Sequence, residues 1–150
     1  MRSIARLADL KSVIGEELAI SNWFTVDQQR INLFAEATGD HQWIHVDPER
    51  AASGPFGAPI AHGYLTLSMM PLFMQDALSF EDVGMSVNYG LNRVRFTSPV
   101  PVGSELRARF RLTSLEELPQ GGMQMALEAT VERKGRDRKS TRLNSSHEWI

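Results

Sequence analysis

Cysteine is absent from this chain of 150 residues. That absence removes disulfides, thiolate metal ligands and a cysteine nucleophile together. Long apolar runs are missing too. No stretch approaches the roughly 20 residues that span a bilayer, and the opening MRSIARLADLKSVIG has no apolar core of signal-peptide length. Charge of one sign is also scarce: the formal net charge is −2, which gives no electrostatic case for nucleic acid or an anionic membrane surface. Together these features read as a cytosolic protein in a reducing compartment. What remains is ordinary for a single globular domain, with 42% hydrophobic and 23% charged residues.

The first half reads mainly as helices. Residues 1–15 are a short helical or irregular lead-in, and Glu16 to Phe24 is a weakly patterned strand through Leu18, Ile20 and Trp23. Thr25 is placed to cap a helix, with Gln28 as the reciprocal partner of a capping box. Ile31, Phe34 and Ala35 then share one face, and Gly39 is a natural left-handed stop. Asp47-Pro48 suits the cap and first position of another short helix, before the glycine- and proline-dense loop SGPFGAP at 53–59. From His62 to Leu78 the apolar residues leave no broad polar face, so this helix is expected to be enclosed by protein and kinked at Pro71.

The second half alternates instead. Leu106, Ala108, Phe110 and Leu112 interleave with Glu105, Arg107, Arg109 and Arg111, and Met123 to Val131 alternate again after the turn LPQGG. That is antiparallel sheet with one buried face. A buried helix followed by long strands predicts an α+β fold in which the sheet wraps the helix. The arginines read as the solvated face of that sheet. A basic rim for phosphates is the alternative, with Arg93, near Tyr89 and Asn92, as its best member.

Two segments could carry chemistry. In TGDHQWIH, residues 38–45, Asp40 follows the helix-ending glycine and His45 follows five residues later. A turn of that length can bring a carboxylate and an imidazole to one small volume, where one holds a water while the other exchanges a proton. The plainer reading makes Asp40 a turn residue bonded to its own backbone and His45 a satisfied side chain. His41 is a rival imidazole but adjoins Asp40. Asp47 reads as a cap, and the spacing of His41, His45 and His62 matches no standard zinc pattern, so no metal is expected. The second segment is AHGYL, 61–65. If the buried helix begins there, its free first-turn N–H groups and dipole favour negative charge, and Gly63 would let a ligand approach the backbone. That describes an oxyanion site, with an ordinary helix start as the alternative.

Phe34, Thr38, Gly39, Asp40 and His45, with AHGYLTLSMM downstream, resemble the MaoC-like dehydratase family, which includes the R-specific enoyl-CoA hydratases. The likeness covers roughly residues 16–134. Gln42-Trp43 stands where many hydratases carry Asn-Pro, and GDHQWIHVD is closer to the NodN-like branch. The resemblance implies a hot-dog fold and a homodimer with the active site near the subunit interface. It implies hydration of a trans-2-enoyl thioester of coenzyme A or a carrier protein to the R-3-hydroxyacyl product, without a further cofactor. Asp40 and His45 would hold the water and the Gly63 N–H would bind the thioester oxygen. His62, Tyr64, Trp43, Tyr89, Asn92 and Arg93 would contact substrate. A hot-dog thioesterase and a non-catalytic acyl-binding module are the alternatives. On this reading 1–134 is the domain. Residues 135–150 are a disordered or non-native tail resembling translated vector or adaptor sequence, in the place where the family has another strand.

Overall fold

The computed structural model describes residues 1–135 and the backbone of 139–149. Strands β1 (Arg2–Ile4) and β4 (Leu78–Phe80) form a small parallel pair. Strands β2 (Glu17–Ile20), β5 (Ser86–Phe96), β6 (Ser104–Glu117), β7 (Met123–Arg133) and β8 (Lys139–Trp149) make a sheet in the order β2-β6-β7-β8-β5, and β3 (Phe24–Val26) also pairs with β6. All pairings in this larger sheet are antiparallel. The helices are α1 (Gln28–Thr38), α2 (Trp43–Val46), α3 (Pro48–Ala52), α4 (Gly63–Ser68) and α5 (Met70–Ala77), with a 3-10 turn at Leu7–Val13.

Alternation on β6 and β7 decides where the core lies. Leu106, Phe110 and Leu112 on β6 and Met125, Leu127 and Val131 on β7 are almost fully buried on one face of the sheet. Helices α4 and α5 supply Leu65, Met69, Met70, Phe73 and Met74 to the same cluster. The rings of Phe73 and Phe24 meet edge to face at 5.8 Å. This is the expected helix wrapped by sheet. Met69 and Met74 are both buried within it.

Several local expectations are corrected. The central helix is two pieces joined at Met69 (φ −80°, ψ −5°). Pro71 opens the second piece, where its missing N–H costs no intrahelical bond. The strand expected over Glu16–Phe24 is the separate β2 and β3, divided around Ser21, whose N–H donates to the Ala108 carbonyl at 2.9 Å. Asp27, rather than Thr25, caps α1: its Oδ1 accepts from the Arg30 N–H at 2.8 Å, while Thr25 pairs with Glu105 in the sheet. Two of the alternating arginines are paired on the outer face, while Arg111 is exposed as expected. Arg107 and Arg109 both bind Glu132, at 2.9 and 2.6 Å, and Arg109 also reaches Glu17. The backbone of 139–149 runs as β8 between β7 and β5. Residues 136–138 and 150 of the expected tail lie outside the described residues. Among the described residues no helix is long and apolar enough to cross a membrane.

Candidate active site

Three chain turns meet at the site. Helix α1 ends at Gly39, whose φ of 82° is left-handed and whose N–H donates to the Ala35 carbonyl at 2.8 Å. The chain leaves that stop directly into Asp40. Helix α2 is a single turn carrying His45, and its backbone is pinned where Gln28 donates through Nε2 to the His45 carbonyl at 2.8 Å. The extended segment before α4 then brings in Ile60, Ala61 and His62. Its Ile60 N–H donates to the Ile44 carbonyl at 3.0 Å, and its Ala61 N–H donates to the Val100 carbonyl at 2.8 Å.

These turns bring Asp40, His45 and His62 together, with one side-chain N or O atom of each within 4.8 Å of the others. His45 is buried. Its Nδ1 lies 2.6 Å from the Ile60 carbonyl. A carbonyl only accepts, so Nδ1 carries the proton and Nε2 keeps its lone pair. Burial chiefly lowers the His45 pKa from its ordinary value. The Ile60 bond opposes that, His62 adds to it, and Asp40 pulls the other way. A neutral imidazole with a free Nε2 is a competent proton acceptor.

Asp40 is exposed. Its Oδ1 accepts from the Gln42 N–H at 3.3 Å, the turn bond of the plainer reading, and this coexists with the approach to the histidines. His41 is exposed and stands outside the cluster. Asp47 caps α3 by accepting from the Arg50 N–H at 3.1 Å, as the sequence predicts.

His62 is the first surprise. It is only 2% exposed and stacks on His45 with ring centroids 3.9 Å apart and planes at 25°. Its Nε2–H donates to the Asp40 main-chain carbonyl at 2.9 Å, and Phe34 packs on it at 4.9 Å. Two histidines and an aspartate have the composition of a metal triad. Imidazoles sharing one ion aim their in-plane lone pairs at it, whereas rings stacked in this way direct theirs along nearly parallel planes. The arrangement suits proton transfer better than ligation.

The second surprise is Gly63, the first residue of α4. A Cβ there would lie 3.0 Å from the Phe96 ring. A side chain at this position would crowd the half-exposed Phe96 ring, a reason for glycine that stands beside the ligand approach expected from the sequence. The amides of Gly63 and Tyr64 still precede the first bonds of the helix, which run from Leu65 and Thr66 to the His62 carbonyl.

The other predicted contacts are dispersed. Trp43 is half-buried, with the Arg50 guanidinium 4.4 Å from its ring centroid and Gly54 close to its ring edge. Tyr64 is 67% exposed and meets Phe96 edge to face at 5.9 Å. Tyr89 lines a cleft of about 480 Å³ between β5 and the Leu67–Pro71 region. Asn92 and Arg93 are exposed further along β5. Sequence reasoning missed the Ile60 carbonyl, Gln28 and Phe96. Only the extended Pro59-Ile60-Ala61 before the helix hinted at the first.

The enclosed helix and its wrapping sheet define a hot-dog protein, with a carboxylate and two imidazoles gathered at the start of α4. The MaoC like domain family model matches residues 9–134, and the chain belongs to that family. It is 50% identical over 135 residues to the 3-hydroxyacyl-thioester dehydratase Z of Mycobacterium tuberculosis, covering 90% of this chain and 89% of that protein. It is 44% identical over 146 residues to Nodulation protein N of Rhizobium meliloti, covering 96% and 88%. The solved unliganded R-hydratase PhaJ1 of Pseudomonas aeruginosa superposes with a TM-score of 0.72 at 22% identity, covering 89% of this chain and 79% of that one.

Proposed function

We propose that this protein is a hydratase and dehydratase of acyl thioesters, interconverting a trans-2-enoyl thioester and its R-3-hydroxyacyl product. The observation that carries the reading is the meeting of Asp40 and His45 beside the start of α4. A water held by this pair places its oxygen on C3 and gives up a proton to the pair, and C2 takes a proton in exchange. The thioester oxygen becomes enolate-like meanwhile and is directed at the Gly63 N–H. The two transfers belong to the pair as a unit. Water and protons are all that move, so the chemistry calls for no redox or group-carrying cofactor. The dehydratase name of the half-identical relative supports the thioester class.

Coenzyme A or a carrier protein is the thiol half of the substrate. Arg93 is suited to its phosphates, with Tyr64, Tyr89 and Asn92 as further contacts on the exposed side. His62 is buried, so this reading gives it a supporting place, while the half-buried Trp43 stays among the proposed substrate contacts. The protein is a homodimer on the same reading. Strand β5 ends the sheet order, and Val87, Tyr89, Leu91 and Phe96 on it are 43–64% exposed. A long apolar edge of that kind is a template for another chain.

The test is hydration of crotonyl-CoA, followed by loss of conjugated-enone absorbance and chiral analysis of the product. The R-3-hydroxy product is expected. Release of free thiol without hydration would make the protein a thioesterase, and tight binding without turnover would make it an acyl-binding module.

A further inference from the structure

We infer that His62 is a positioning residue that sets Asp40 and His45 against one another. The inference rests on the acid–base reading of that pair.

Two separate contacts carry it. The His62 Nε2–H donates to the main-chain carbonyl of Asp40 at 2.9 Å, which fixes the backbone from which the carboxylate projects. The face of the same ring covers His45 at 3.9 Å. A third observation asks why histidine stands here at all. Among the described residues the His62 Nδ1 is buried with no hydrogen-bond partner. An unpaired buried acceptor is unfavourable, and a wholly apolar ring would fill the same space against Phe34 without it. The polar ring is accounted for if its other nitrogen has a task, and the Asp40 carbonyl is that task.

The titratable groups that face His45 are His62 at the start of α4 and Asp40 after α1. Ile60 supplies only its carbonyl, and Phe34 lies beyond His62. Burial of His45 and the electrostatic influence of His62 beside it both favour the neutral imidazole.

Two substitutions separate the contacts. His62→Gln keeps an N–H donor near the position of Nε2 and removes the ring. His62→Phe keeps the ring and removes the donor. The expected pattern is crossed. In H62F, kcat at the plateau pH falls about 10–100-fold with KM little changed, since a small misplacement of reacting groups costs this much. In H62Q, the fall in kcat is smaller than in H62F, but the His45 titration, followed by imidazole NMR of the labelled protein, moves up toward its ordinary value more than in H62F. The NMR arm needs no turnover, so it judges His62 even if the wild-type protein fails to hydrate enoyl thioesters, a result that would remove the parent reading alone. Equal losses in both variants that follow their melting temperatures, or no change in either, overturn the inference.

Discussion

His45 donates from Nδ1 to the carbonyl of Ile60 at 2.6 Å, and Ile60 in turn donates its N–H to the carbonyl of Ile44, the residue before His45. This reciprocal clamp fixes both the orientation and the tautomer of the imidazole. Ile60, just past the loop read from sequence over 53–59, is therefore the residue that holds the proton on Nδ1 and leaves the Nε2 lone pair free.

The clamp and the burial set a pH dependence. The His45 pKa is lowered in the folded protein, so the unfolded chain binds a proton there first as pH falls. The stability contribution is complete above the unfolded value of about 6.5 and is lost as pH drops from there through the folded value. Activity should hold its plateau below pH 6.5, and its acid limb should lie lower than an unperturbed histidine gives. A profile of kcat against pH for crotonyl-CoA hydration checks this. An acid limb centred above 6.5 would contradict the assigned neutral base.

Gly63→Ala tests the packing behind the amide proposed to bind the thioester oxygen. The new Cβ meets the Phe96 ring at 3.0 Å, so the half-exposed ring must give or α4 must shift. A modest loss of stability, about 1–3 kcal/mol by the usual cost of overpacking, is expected with a larger fall in kcat than in 1/KM. In the pair Gly63→Ala with Phe96→Ala, part of both losses should return. Calorimetry and steady-state kinetics read the two effects.

Glu132 holds Arg107 and Arg109 together on the outer face of the sheet. Burial works against its charge, but the two arginine hydrogen bonds and their charges outweigh it and lower its pKa. Stability from this group is present above the unfolded carboxylate value and is lost as pH falls through the folded one. Glu132→Ala leaves two like charges facing each other. A loss of about 1–3 kcal/mol in chemical denaturation is expected, with kcat unchanged.

Strand β5 gives a test of assembly. Leu91→Lys places a charge on the exposed apolar edge strand. Light scattering should show a dimer for the wild-type chain and a shift toward monomer for the variant. A wild-type monomer at micromolar concentration would remove the dimer from the account.

How much of this was legible in the sequence differs by element. Asp40 and His45 could be paired because five residues separate them and Gly39 fixes the exit from α1. Strands β6 and β7 showed themselves because one face is buried and the other is not. Most of β5 gave no such signal, since nearly all its residues are exposed and no face is selected. The α1 cap was misplaced because Thr25 and Asp27 are both good caps, and only the pairing of Thr25 with Glu105 decides between them. The Ile60 carbonyl and the His62 stack depend on backbone and ring positions 15 and 17 residues from His45, which no local pattern encodes.

The central claim is that Asp40 and His45 act as one unit on one water, and turnover of Asp40→Asn, His45→Ala and the double variant tests it most directly. Each single change should slow enoyl thioester hydration by about 10²–10⁴-fold. The double variant should be scarcely slower than the slower single, because removing either member already disables the pair. Wild-type turnover in either single variant, or losses that multiply in the double, would contradict the account.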